Sequence, residues 1–265
     1  MIVVGELINA SRKAITEAIR CKKTEVIREV ARQQHEAGAS YIDVNAGIFV
    51  DEEEEYMQWL VQTVQAVVDG PCSIDSPSPK AIEAGLAVHK GTPMINSISL
   101  ETARYDNIIP LLAGTDCKVV ALCMSDDGMP RTAEDRLRVA NKLINGLVNN
   151  KISPENIYLD PLVQPISVDT TFGAEFLRAI EMITKEFPGV KTMCGLSNVS
   201  YGLPGRQFIN QTFMSMAIAM GLGGAIINPL DKRMMANIVA AKALAGRDNY
   251  CMNYMKAYRA KKFDF

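Results

Sequence analysis

Eight short β-rich apolar runs, each followed by a longer stretch with helical spacing, recur along the 265-residue chain and restrict its fold more than any other feature. The runs occupy residues 2–8, 40–46, 72–75, 93–97, 118–124, 157–162, 190–196 and 225–228. Between them the apolar period changes from two to about 3.6. In 24–37, Val26, Val30, Ala31, Gln34 and Ala37 form a stripe opposite Arg28, Arg32 and Glu36. Gly38, Gly91, Gly114 and Gly246 supply helix stops, and Pro79, Pro154 and Pro204 stand where helices or turns begin. Strict strand–helix alternation calls for a parallel sheet with crossover helices. At this length, closure into one (β/α)8 TIM barrel, a single domain over 1–265, is the economical solution. An open doubly wound sheet is the alternative.

Composition narrows the function classes. With 48% hydrophobic and 22% charged residues, the chain has the balance of a soluble globular protein. A net charge of −2 provides no footprint for nucleic acid. No apolar stretch is long enough to span a bilayer, and the N-terminal MIVVGELINA lacks a basic leader, so a cytoplasmic location is expected. The six cysteines, Cys21, Cys72, Cys117, Cys123, Cys194 and Cys251, form no CxxC pair and suit small buried groups in a reducing compartment.

A barrel of this kind keeps its chemistry at the C-terminal ends of its strands. Those ends are polar here: Glu6 and Asn9, Asp43 and Asn45, Asp75, Asn96, Asp160, Ser197 and Asn198, and Asn228. Burying carboxylates and amides is costly unless partners meet them. A converging ring of Asp and Asn with almost no Lys, Arg or His therefore calls for a ligand rich in hydrogen-bond donors. Helix capping competes as an explanation for each residue alone and suits Ser76 or Ser78. It is a weaker account of Asp75, four residues before Pro79, and improbable for five strands at once.

Other chemistries find no support. His35 and His89 are the only histidines; both fall in predicted helices as surface or packing residues, without a metal-ligating partner. No bound metal is expected, and no Ser-His-Asp or Cys-His arrangement is available. Gly221-Leu222-Gly223-Gly224 follows a helix and precedes a strand, the wrong order for a phosphate loop; a tight turn explains it. The acidic run 51–55 suits a solvent-facing helix N-terminus, with partner docking as its alternative.

Six segments carry a resemblance to the pterin-binding barrel family: GELINAS at 5–11, YIDVNAG at 41–47, SIDSPSP at 73–79, PMINSIS at 93–99, IYLDPLV at 157–163 and GLSNVSYGLPGR at 195–206. The combination runs essentially end to end and most resembles the stand-alone methyltetrahydrofolate:corrinoid methyltransferases of anaerobic bacteria. The resemblance implies that Asp75, Asn96 and Asp160 hold the pterin ring and that Asn198 sits near N5 and assists departure of the methyl group. Glu6, Asp43, Asn45, Ser197, Arg206, Gln207 and Asn228 are secondary candidates. Arg206 and Gln207 suit the pterin or its tail, or a plain helix start.

The chemistry agrees with those residue types. A reduced pterin presents its 2-amino group and N3–H side by side, and one carboxylate, Asp160 by expectation, accepts both. N1 and N8–H suit Asn96 with Asp75 beside it.

The resemblance also implies tetrahydrofolate or 5-methyltetrahydrofolate as substrate. Its methyl partner is a corrinoid (cobalamin), brought by a separate corrinoid protein or free in solution because no DxHxxG signature occurs. The direction of transfer stays open. A homodimer is implied, with the basic, aromatic tail 250–265 as either a contact site or an ordinary terminal helix. Dihydropteroate synthase chemistry is a lesser alternative, since AIINPLDKR at 225–233 lacks the Arg-x-His pattern of that enzyme. A non-catalytic pterin-binding subunit is another, disfavoured by the N5-facing amide.

Overall fold

The computed structural model describes residues 1–264; Phe265, the last residue of the tail singled out above, lies outside the described residues. In chain order the elements are β1 (Ile2–Asn9), α1 (Lys13–Arg20), α2 (Thr24–Glu36), β2 (Tyr41–Asn45), α3 (Glu53–Gln65), β3 (Cys72–Asp75), α4 (Pro79–Val88), β4 (Met94–Leu100) and α5 (Thr102–Leu112). There follow β5 (Lys118–Ser125), α6 (Ala133–Asn149), β6 (Ile157–Asp160), α7 (Phe172–Glu186), β7 (Lys191–Thr192), α8 (Arg206–Met220), β8 (Gly224–Ile227), α9 (Lys232–Leu244) and α10 (Met252–Arg259).

All eight strands are parallel and hydrogen-bonded in the order β7-β6-β5-β4-β3-β2-β1-β8. The free edges meet: Gly195 bridges Ile226 in parallel, and the Ile226 N–H donates to the Cys194 carbonyl at 2.9 Å. The sheet is thus a closed (β/α)8 barrel rather than an open doubly wound sheet.

Strand ends differ from the sequence expectation for local reasons. β6 stops at Asp160 because Pro161 has no N–H for the ladder. β7 is only two residues long, and its expected end, Ser197-Asn198, lies in a 3-10 turn, Leu196–Ser200. Short polar side chains there compete for the backbone and favour turns.

Side chains alternate along each strand, so every second residue points into the barrel. Val4, Tyr41, Met94, Val120, Tyr158 and Met193 pack together as an interior plug, with Ile2, Leu122 and Ile226 against it. Two residues further along the chain stand Glu6, Asp43, Asn96 and Asp160, still within their strands, and Asn228, just past the end of β8. The inward face therefore turns from apolar to polar within one pleat repeat. The outward faces, including Ile42, Val44, Ile74, Ile95, Val119 and Leu159, join helix residues such as Ile27, Leu60, Ile82 and Leu143 in the main hydrophobic layer.

Several expectations are corrected by packing. On α2 the buried residues are Ile27, Ala31 and Gln34, and Val30 packs against the core; of the expected stripe Val26 is exposed, and Ile27 takes its place. The Gln34 amide oxygen accepts the Leu7 N–H at 2.9 Å, within the register shift between Gly5 and Ile8. Gly5 permits this approach, since a Cβ there would lie 2.5 Å from Gln34 Oε1. In the acidic run 51–55, Glu53 is buried rather than solvent-facing and accepts the Ser76 hydroxyl at 2.5 Å.

His89 lies just past α4 rather than inside it, and its Nε2 accepts the Cys72 N–H at 2.9 Å. Cys72, Cys123 and Cys194 are buried, but Cys21 and Cys251 are exposed. The 221–224 glycines form the turn between α8 and β8. The tail includes α10, which packs on α9. Among the described residues no helix is long and apolar enough to cross a membrane.

Candidate active site

Sheet register places Asn9 beside Asn45, Asn45 beside Asp75, and Asp75 beside Asn96, so four polar residues form one arc on β1 to β4. Asn45 Nδ2 donates to Asp75 Oδ2 at 2.8 Å, and Asn45 Oδ1 accepts the Gly47 N–H at 3.0 Å. Beneath the arc, one pleat repeat down β2, Asp43 is buried and accepts from Asn96 Nδ2 at 3.3 Å. Opposite, at the end of β6, buried Asp160 accepts the Leu162 N–H at 2.7 Å and is also met by the Gly195 N–H.

These carboxyls are held away from their ordinary acidity. Burial drives Asp43 well above the usual carboxylate range, reinforced by the charge of Asp75. Burial raises Asp75 to about 6, opposed by the Asn45 donor and the Arg104 guanidinium. Asp160 is pushed up to about 7 by burial, against the Leu162 and Gly195 N–H groups and the charge of Arg136. Glu6 is raised by burial and opposed by Arg12, whose guanidinium lies 2.9 Å away. Carboxyls perturbed together at the mouth of a barrel mark a site that gains from a donor-rich ligand.

A neighbouring cavity of about 310 Å³ brings together Glu6, Ser197, Arg206, Gln207 and Asn228. Arg206 donates to the Ser197 carbonyl at 2.6 Å and to Ser200 Oγ at 3.0 Å, and the Asn228 side-chain oxygen accepts the Leu230 N–H at 2.9 Å. Asn198 is exposed on the 3-10 turn, and its Nδ2 lies 3.7 Å from the position a Cβ on Gly195 would take. The sequence candidates thus lie at one end of the barrel: the Asn45–Asp75–Asn96 arc with Asp43 beneath it, the Glu6–Ser197–Arg206–Gln207–Asn228 cavity, and Asp160 and Asn198 outside both.

The expectation of a ring almost without cations is corrected. Arg12 pairs with Glu6, and Arg104 on α5 donates to the Ser97 carbonyl at 2.8 Å and the Ser76 carbonyl at 2.8 Å. Arg136 on α6 is fully buried behind Asp160. Neither Arg104 nor Arg136 was a sequence candidate, because each lies within a helix and only its reach toward a loop betrays it. Among the described residues no three His, Cys, Asp or Glu side chains are placed to share a metal ion.

Fold and site together define a (β/α)8 barrel whose mouth gathers buried carboxyls, amides and the arginines that brace them. The chain belongs to the pterin binding enzyme family, whose model matches residues 5–228. It is 34% identical to the methylcorrinoid:tetrahydrofolate methyltransferase of Eubacterium limosum, over 99% of this chain and 97% of that protein. It is 29% identical to the methionine synthase of Mycobacterium tuberculosis over 86% of this chain, and that match spans 20% of the larger protein. Among solved structures, the fold is shared with a dihydropteroate synthase from Coxiella burnetii in complex with pteroic acid: TM-score 0.68, 12% identity, 92% of this chain and 93% of that one. A dihydropteroate synthase from Xanthomonas albilineans in complex with 7,8-dihydropteroate gives a TM-score of 0.67 at 17% identity, over 92% and 91%.

Proposed function

We propose that this barrel transfers a methyl group between N5 of tetrahydrofolate and the cobalt of a corrinoid carried by a separate protein. The observation that carries the pterin half is the pair Asp75 and Asp160, two carboxyls raised by burial and facing the same mouth from opposite sides. Asp160 suits the adjacent 2-amino and N3–H donors of the pterin, a two-point charge-assisted contact that contributes about 1.5–3 kcal/mol. Asp75 and Asn96, neighbours in sheet register, suit N8–H and N1.

The corrinoid supplies a cobalt centre able to give or take the methyl group. This chain's part is to hold the ring in line and to stabilise N5 as it departs from the methyl. A methyl on a tertiary amine leaves poorly unless the nitrogen gains a proton. The Asn198 amide, whose oxygen can accept N5–H as it forms, stabilises the transition state more than the bound substrate. Positioning supplies much of the rest.

Identity over nearly the whole of a methylcorrinoid:tetrahydrofolate methyltransferase supports this reaction over pteroate synthesis. The reading extends to a homodimer in the cytoplasm of an anaerobe, on family grounds alone. The test mixes the purified protein with methylcobalamin and tetrahydrofolate, and with Co(I) cobalamin and methyltetrahydrofolate, and follows the corrinoid spectrum. Interconversion that requires the protein is the expected result. No turnover with free cobalamin or with a corrinoid protein, despite tetrahydrofolate binding, would remove methyl transfer.

A further inference from the structure

The mechanism above uses the carboxylate of Asp160 but leaves unexplained the largest fully buried charged side chain in the barrel wall, Arg136. Its guanidinium has no carboxylate within ion-pair distance among the described residues. It is spent on backbone: Nε donates to the Pro161 carbonyl at 2.7 Å, one terminal nitrogen to the Arg131 carbonyl at 2.7 Å, and the other to the Leu162 carbonyl at 3.3 Å. Arg131 lies in the β5–α6 loop, and Pro161 and Leu162 in the β6–α7 loop, so one side chain ties two loops of the mouth together. A buried cation whose hydrogen bonds all go to backbone carbonyls is a poor way to stabilise a fold, because apolar side chains of similar volume fill such space more cheaply.

The loop it holds is unusual. Leu162 has φ +67°, a left-handed conformation that branched side chains rarely adopt. In the same loop the Leu162 N–H donates back to Asp160 Oδ1, 2.7 Å away. We infer that Arg136 is a positioning residue for Asp160: it clamps the Pro161 and Leu162 carbonyls so that the Leu162 N–H holds the carboxylate in place for the ligand. The inference rests on the pterin reading of the site for its consequence, though not for its geometry.

Arg136 also places a positive charge behind a carboxylate that burial would otherwise neutralise. The titratable groups facing Asp160 are Cys123 from β5, Cys194 beyond β7 and Arg136 from α6. Burial raises both thiols far above their ordinary range, so they stay neutral. Glu175 of α7 and Asp135 of α6 act on Arg136 rather than on Asp160.

The test is the titration of the Asp160 carboxyl in unliganded protein by 13C NMR, its resonance assigned with Asp160→Asn, together with tetrahydrofolate binding across the same pH range. Arg136→Gln removes the charge and the fork; the Asp160 midpoint is expected to rise by about one pH unit, with weaker binding at pH 7. Arg136→Lys keeps the charge but lacks the planar fork that spans the two loops, so the midpoint should stay near its original value while affinity falls. A folded Arg136→Gln with the original midpoint and affinity overturns the inference. Should that variant fail to fold, an Arg136→Lys protein with unchanged affinity overturns it instead. If the midpoint moves but the unmodified protein binds no tetrahydrofolate, the coupling stands and the pterin reading fails.

Discussion

The amide of Asn45 reaches across from β2 to β3 and donates to Asp75 at 2.8 Å. This neutral donor holds down the pKa of a carboxyl that burial raises to about 6. Asn45→Ala removes it, so the Asp75 proton is lost at higher pH. Tetrahydrofolate affinity should fall roughly five- to tenfold at pH 6.5 and less at pH 8.5, where Asp75 is ionised either way. Titrations at the two pH values, with equal losses, would show that Asn45 acts by packing alone.

Ligand binding should expel protons. Burial pushes Asp160 up to about 7 and Asp75 to about 6, and donors from the pterin favour both ionised forms. Calorimetry at pH 6.5 in buffers of different ionisation enthalpy should show proton release on tetrahydrofolate binding, shrinking towards pH 8.5. Uptake, or no exchange at either pH, would contradict the role of these carboxylates.

Asp160 also sets a conflict between stability and function. Its folded-state value, about 7, lies above the ordinary 3.8, so the native protein holds this proton more tightly than the unfolded chain. Its contribution to stability is therefore lost as pH rises from about 4 through 7, a penalty on the order of a few kcal/mol above that window. Asp160→Asn should be more stable than the unmodified protein at pH 8, less so at pH 5, while tetrahydrofolate affinity drops at least tenfold. Urea denaturation at the two pH values reads the sign directly.

Asn198→Ala should slow methyl transfer by roughly ten- to a thousandfold, the range for losing one group that acts in the transition state. Tetrahydrofolate binding should change little, because the residue is exposed and stands on the 3-10 turn after β7, off the strands that carry the carboxylate arc. Single-turnover rates and equilibrium binding separate the two effects. An unchanged rate would take Asn198 out of the mechanism.

The barrel was legible in the sequence because its signal is repeated in every strand–helix unit. The candidate residues were legible because they fall at strand ends, where a local rule places them. Strand lengths depended on contacts no window contains: β7 ends at Thr192, and barrel closure rests on the Gly195–Ile226 bridge with the Gly223–Thr192 and Ile226–Cys194 backbone hydrogen bonds. Ile27 rather than Val26 faces the core because Gln34, on the same face, must reach Leu7. Glu53 had the appearance of surface charge until Ser76, 23 residues away, came within 2.5 Å of it. Arg104 and Arg136 were hidden for the same reason, since their partners are backbone carbonyls in loops distant along the chain.

The interval of two residues between Tyr41 and Asp43, and again between Tyr158 and Asp160, has a bearing on how such barrels diversify. The plug below and the acceptors above share strands but occupy separate tiers, each with its own packing partners. Substitution in the upper tier alters what the mouth recognises while the lower tier goes on closing the barrel. A lineage can therefore exchange one reaction for another without passing through an unfolded intermediate sequence.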